Sequence, residues 1–264
     1  MRPGEGHGRT VRCASATWDT SATRTSRRCW PRSAPCSAKG DCGVGSEVED
    51  AKAAVDGAYC HTVQRRLSGL LSPLLARRFG PNTVTTFDLL TGIAAAACIL
   101  TGQLLAGALL VQVFGVLSCC DGEVARIRGK QSAIGDFYDT MTDRIVETLL
   151  IIAFAVRLSS SVGQEALRAG LLALAGALLL AVSSEKFHSA FGTRYPKKHA
   201  EKPFIWISAG SDARLLVLTI ALVLWAGWGP EPALAVLWAE TAAIGLNLLV
   251  RGYRVTSMAR GDQL

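Results

Sequence analysis

The first 57 residues contain no sustained apolar run; they are rich in Arg, Ser, Thr and Gly. Such a stretch cannot bury enough apolar surface to offset the entropy of ordering, so residues 1–57 are expected to be a disordered basic extension. No apolar core follows the early arginines, which argues against a cleavable signal peptide. Zinc-like spacing is missing too: Cys29, Cys36 and Cys42 stand too far apart for a knuckle, and Cys98, Cys119 and Cys120 lie in apolar stretches where a thiol packs as a small hydrophobe. Free thiols in a reducing compartment are expected rather than a disulfide framework. His61, His188 and His199 show no ligand spacing and are expected to be solvated. The long apolar segments that follow have few polar residues, so they lack the polar face that a soluble helical protein would need.

What is present is hydrophobic. Half of the 264 residues are apolar and the mean hydropathy is +0.29, high for a soluble domain and ordinary for a small polytopic membrane protein. Six spans are expected near 83–101, 104–120, 136–156, 166–182, 213–228 and 233–250, giving an all-α membrane domain over residues 80–255 and a tail over 256–264. Ahead of them, residues 58–79 mix apolar residues with Arg65, Arg66, Arg77 and Arg78, as an amphipathic interfacial helix does, with Pro73 expected to kink or interrupt it. The net charge of +7 sits beside these segments rather than in a nucleic-acid-binding block. Arg126, Arg128 and Lys130, then 186–202, then Arg251, Arg254 and Arg260 form the basic connections, which places both termini and the two basic loops in the cytoplasm and makes nucleic acid an unsuitable partner.

The chemistry is concentrated in SCCDGEVARIRGKQSAIGDFYDTMTDR, residues 118–144, where Asp121, Gly122, Ala125, Arg126, Gly135, Asp139 and Asp143 follow the pattern D-G-x2-A-R-x8-G-x3-D-x3-D. Asp139 and Asp143, four apart, share one face of a helix, and Asp121 is expected to end the helix before it, so three carboxylates can converge. Gathered beside lipid they need a counter-charge, and hard oxygen ligands favour Mg2+ or Mn2+. Gly122 and Ala125 leave room for a ligand to approach the backbone, and Arg126 is a candidate partner for an anion or for one of the aspartates. The blander possibility is that these acids are interfacial residues neutralised by Arg126, Arg128, Lys130 and Arg144.

This pattern resembles the signature of the CDP-alcohol phosphatidyltransferase family, D-x2-D-G-x2-A-R-x8-G-x3-D-x3-D, with Ser118 at the position of the first aspartate. The resemblance extends through the six-span layout and through GPNTVTTF, residues 80–87, which is similar to the family's Pro-Asn-x-x-Thr opening of the first span. It implies a two-metal site of Mg2+ or Mn2+ held by Asp121, Asp139 and Asp143 together with Ser118. It also implies a nucleotide site of Gly122, Ala125, Arg126, Gly135 and Asn82, with Asp143 as general base. The implied reaction moves a substituted phosphoryl group from a CDP-linked donor, CDP-diacylglycerol or a CDP-alcohol, to an alcohol or phosphorylated alcohol and releases CMP. Membrane lipids and a second copy in a homodimer are the implied partners.

The serine brings a hydroxyl without negative charge, so weakened or altered metal use is expected. Glu123 is expected to face elsewhere and not to substitute. On the acceptor side, Arg194, Lys197, Lys198 and Lys202 suit a phosphorylated acceptor or anionic headgroups, or they merely set topology. SDARLL, residues 211–216, resembles a stretch of the inositol-phosphate-using members, with Arg214 the expected acceptor-phosphate contact. Asp88 is expected to face the nucleotide cavity and Glu240 to pair between helices. Two rival functions are a catalytically impaired family member and a small cation-binding transporter, whose site would lie nearer the membrane midplane.

Overall fold

The computed structural model describes residues 58–192, 195, 201 and 204–259. After an irregular turn over Cys60–Gln64 come seven helices: α1 (Arg65–Arg78), α2 (Pro81–Leu100), α3 (Leu104–Ile127), α4 (Ala133–Val162), α5 (Gln164–Phe191), α6 (Ser211–Trp228) and α7 (Pro230–Ala259). No strand occurs among the described residues. The helices α2 to α7 are each long and apolar enough to cross a membrane, and on this basis the protein is an integral membrane protein.

Sequence chemistry sets the helix limits. Pro81 occupies the first turn of α2, where its missing N–H costs nothing. Ser132 caps α4, its hydroxyl accepting a 3.0 Å hydrogen bond from the Gly135 amide. Gly229, at φ 95°, lets α6 reverse into α7 in a conformation that disfavours a Cβ. Short turns also join α2 to α3 and α4 to α5, so consecutive members of these pairs run antiparallel. The longer connections, and both ends of the described chain, gather at the opposite end of the bundle, where the aspartate motif lies.

The core is built from small and branched residues along the helix contacts, among them Ala95, Ile99, Val111, Phe114, Leu150, Phe154 and Leu222. Large apolar side chains on the outer faces, including Leu105, Leu109, Leu171 and Leu249, remain exposed, as expected where hydrocarbon rather than water is the surround. Close approach depends on glycine: a Cβ at Gly92 in α2 would lie 2.2 Å from Val146 Cγ1 in α4. This contact draws α2 and α4 together just beneath the motif.

Three expectations need correction. α3 does not end at Asp121 but runs on to Ile127, so the aspartate sits inside a helix. Pro73 does not interrupt α1, which continues through it, and the irregular backbone lies earlier, at Cys60–Gln64. The spans at 136–156, 166–182 and 233–250 extend to 133–162, 164–191 and 230–259, because polar residues at the interface continue each helix. Helix α1 buries Ser68, Ser72 and Ala76 and leaves Leu70 and Leu74 exposed, the arrangement of a helix lying on a membrane surface.

Candidate active site

Two hydrogen bonds define the register of the aspartates. Thr85 Oγ1 in α2 donates to Asp121 Oδ2 in α3 at 2.9 Å, and Ser118 Oγ in α3 donates to Asp143 in α4 at 3.1 Å to Oδ1 and 3.3 Å to Oδ2. Asp121 also accepts from the amide of the next residue, Gly122, at 2.5 Å. Asp139 lies one turn before Asp143 on α4 and interacts directly with Asp121. The three motif acids therefore belong to one cluster, and Asp88 of α2 interacts electrostatically with all three of them.

The cluster separates two cavities. The larger, about 630 Å³, is lined by Thr85, Asp121, Gly122, Ala125, Arg126, Gly135 and Asp139, together with the 130–133 turn and Asp136. Its size suits a nucleotide-sized ligand. The other, about 240 Å³, is lined by Ser118, Asp143 and Glu147 on one side and by Arg65, Ser211 and Asp212 on another. Asp139 thus faces one cavity and Asp143 the other, four residues apart on a single helix.

Among the described residues, no three His, Cys, Asp or Glu side chains already stand as a finished metal-binding set. The chemistry of the cluster nevertheless suits a divalent cation. Its donors are carboxylate oxygens, and Asp139 Oδ1 and both Asp88 oxygens are buried with no hydrogen-bond partner among the described residues. Carboxylates brought together in a low-dielectric region need a cation or a proton.

The sequence-derived residues fall out as follows. Gly122, Ala125, Arg126 and Gly135 all line the larger cavity. Asn82 is exposed at its edge, its Oδ1 3.9 Å from where a Gly135 Cβ would stand. Arg194, Lys197, Lys198 and Lys202 lie outside the described residues. Arg214, expected as an acceptor-phosphate contact, has partners within the protein. It is 7% exposed and engaged with the protein, donating to Glu147 Oε1 at 2.7 Å and to the Ser208 carbonyl at 3.0 Å. The reason is burial: a guanidinium in this setting requires a carboxylate, and Glu147 supplies it. Glu123 turns away from the motif acids, accepting from Ser68 at 2.9 Å and Ser72 at 2.6 Å. Glu240 does not hydrogen-bond between helices; both its oxygens are buried without a partner among the described residues. Asp88 sits within the acid cluster rather than in the lining of the larger cavity. Cys60, Cys98, Cys119 and Cys120 are free thiols, and His61 and His188 are exposed, as expected; Cys29, Cys36, Cys42 and His199 lie outside the described residues.

Four site residues escaped the sequence reading. Thr85 was visible as the threonine of Pro-Asn-x-x-Thr, and Glu147 as the continuation of the four-residue spacing through Asp139 and Asp143. Asp212 lies inside the SDARLL stretch but was not singled out in it, and Arg65 carries no such signal, because a docked N-terminal segment brings it to the smaller cavity. The Cys60 amide donates to Asp212 Oδ2 at 2.9 Å, and Tyr59 bonds to Gln112 of α3 at 2.5 Å.

Comparison with known proteins agrees with this architecture. The family profile described as CDP-alcohol phosphatidyltransferase matches residues 78–246. The chain is 33% identical over 185 residues to the bifunctional IPC transferase and DIPP synthase of Thermococcus kodakarensis, covering 64% of this chain and 42% of that protein, so it spans less than half the length of that relative. It is 32% identical over 136 residues to archaetidylinositol phosphate synthase of Methanothermobacter thermautotrophicus, covering 51% of this chain and 67% of that one. Its fold resembles that of phosphatidylinositol phosphate synthase from Mycobacterium tuberculosis with CDP-DAG bound, with a TM-score of 0.57 at 22% identity over 71% of this chain and 92% of that one. The same synthase in complex with manganese and citrate gives 0.55 at 20% identity over 74% and 90%. The chain belongs to the CDP-alcohol phosphatidyltransferase family.

Proposed function

We propose that this protein transfers a substituted phosphoryl group from a CDP-linked lipid donor to a phosphorylated polyol of the inositol phosphate class, releasing CMP at the cytoplasmic face of a membrane. The observation that carries this reading is the single carboxylate cluster between two cavities, with Asp139 and Asp121 on one side and Asp143 on the other. A transfer between two bound substrates needs this arrangement, because donor and acceptor must reach one point from different directions. The relatives support the substrate classes: one of them is seen with CDP-DAG, and two are named as inositol phosphate lipid synthases. Arg126 and Lys130 at the larger cavity support a cytoplasmic placement.

The residues divide the work. Gly122 and Ala125 present little side chain to the larger cavity and so admit the nucleotide close to α3. Asp121 and Asp139 would hold divalent ions, manganese or magnesium, against the donor's diphosphate; a relative's complex with manganese supports this. Bound ions of this kind neutralise charge on the diphosphate as it breaks. Thr85 and the Gly122 amide fix the Asp121 carboxylate in place. In the smaller cavity, Asp143 accepts the proton of the acceptor hydroxyl. That oxygen bonds to the phosphorus distal to cytidine, the bond from this phosphorus to the bridging oxygen breaks, and CMP leaves with the electron pair. Arg65, at the wall of the same cavity, is suited to the acceptor's phosphate.

The test is release of CMP from CDP-diacylglycerol, with inositol phosphate as acceptor and Mn2+ or Mg2+ present, against Asp143→Asn as control. The reading requires acceptor-dependent CMP release by the natural chain and its loss in the variant. Nucleotide binding with no CMP release from any CDP-linked donor would instead mark an impaired family member.

A further inference from the structure

The signature that this chain resembles contains four aspartates, and Ser118 stands where the first should be. The structure contains a fourth aspartate in the cluster all the same. Asp88 of α2 is 0% exposed, and neither of its oxygens has a hydrogen-bond partner among the described residues. A buried carboxylate with nothing to accept from is costly unless it meets a cation or holds a proton.

Helix register places it. Thr85 of α2 bonds to Asp121 of α3, and these helices are antiparallel. One turn further along α2 is Asp88, and one turn back along α3 is Ser118, so the two occupy the same depth. Helices α2 and α4 run parallel, and Gly92 abuts Val146. Stepping back one turn along both sets Asp88 level with Thr142 and Asp143. The Ser118–Asp143 hydrogen bond closes this tier from the third side. The bundle thus carries an outer tier of Thr85, Asp121 and Asp139 and an inner tier of Asp88, Ser118 and Asp143. The carboxylate missing from α3 is restored at the same depth from α2, and the cluster again holds four aspartates.

We propose that Asp88 is a metal ligand of this protein, taking the coordinating role that Ser118 lacks the charge to fill. The inference rests on the divalent-cation reading of the motif acids given above. Ser118 is then left to orient Asp143 by hydrogen bonding, a role an aspartate at 118 would not fill.

Mn2+ binding to the purified full chain, followed by the electron paramagnetic resonance of free Mn2+, tests this without relying on turnover. Asp88→Asn should weaken binding by about tenfold or more, the range found when a metal site loses one supporting group. Adding Ser118→Asp to that variant should restore most of the loss, since it returns the carboxylate to the tier from the other helix. Asp88→Ser with Ser118→Asp, which exchanges the two side chains, should bind Mn2+ and serves if Asp88→Asn alone fails to fold. Asp139→Asn is the control. If it abolishes binding while Asp88→Asn leaves binding unchanged, the metal site stands and the role of Asp88 is refuted. If Asp139→Asn also leaves binding unchanged, the divalent-cation reading itself fails. Loss in Asp88→Asn that Ser118→Asp does not repair would likewise overturn the exchange.

Discussion

Ser118 Oγ lies 3.1 Å from Asp143 Oδ1, linking the position where the family signature departs to the residue assigned as its base. A hydroxyl donating to a carboxylate holds it in one orientation beside the smaller cavity. The departure at 118 therefore removes a carboxylate from α3 but adds an orienting contact to Asp143, the proposed base.

From that role, Asp143→Asn should lower turnover by about 10²- to 10⁴-fold, the usual worth of a positioned base, with a smaller effect on donor binding. The amide occupies the same volume but cannot accept the proton. Parallel measurement of CMP release and of CDP-diacylglycerol binding checks both halves.

Arg65 is predicted to act on the acceptor alone. Its replacement by Ala removes a charged hydrogen-bond donor from the smaller cavity, a loss of about 1.5 to 3 kcal/mol, or roughly 10- to 150-fold in acceptor KM, with donor KM unchanged. Initial rates at varied concentrations of each substrate resolve the two. A variant that raised both equally would place Arg65 elsewhere in the mechanism.

The Arg214–Glu147 pair is nearly dry, with side chains 7% and 5% exposed. Arg214→Ala leaves the buried Glu147 carboxylate with Arg144 as a remaining partner and should destabilise the chain by about 1 to 3 kcal/mol. Glu147→Gln with Arg214→Met removes both buried charges and leaves only the quarter-exposed Arg144 without this carboxylate, so it should be milder. Thermal unfolding in detergent compares the two. If Arg214→Ala raised the acceptor KM without lowering the unfolding temperature, Arg214 would be a direct acceptor contact after all.

Gly92 is predicted to be the steric hinge of the cluster. A methyl there meets Val146 and forces α2 away from α4, which carries Asp139 and Asp143. Gly92→Ala should therefore reduce both stability and CMP release, and Val146→Ala should restore much of each by opening the space.

Much of this arrangement is legible in the sequence because it depends on periodic or local features. Six apolar runs declare six spans, and the spacing of Asp121, Asp139 and Asp143 declares a shared site before any helix is placed. Helix ends were less legible, since Asp121 through Ile127 are polar enough to suggest a loop yet continue α3 at the membrane boundary. The surroundings of Arg214 are illegible for a different reason. An arginine beside a basic loop suggests an anion from outside, and only the packing of α6 against α4 reveals that Glu147 is already its partner. The depth of Asp88 likewise depends on how three helices align, which no single segment encodes.

The most direct test of the account is anomalous diffraction at the manganese edge from crystals of the protein with CDP-diacylglycerol. Two manganese peaks about 3.5 to 4 Å apart, bounded by Asp121, Asp139, Asp143 and Asp88 and touching the diphosphate, are predicted. Peaks remote from these four carboxylates, or a diphosphate bound away from the cluster with no manganese beside it, would contradict the account.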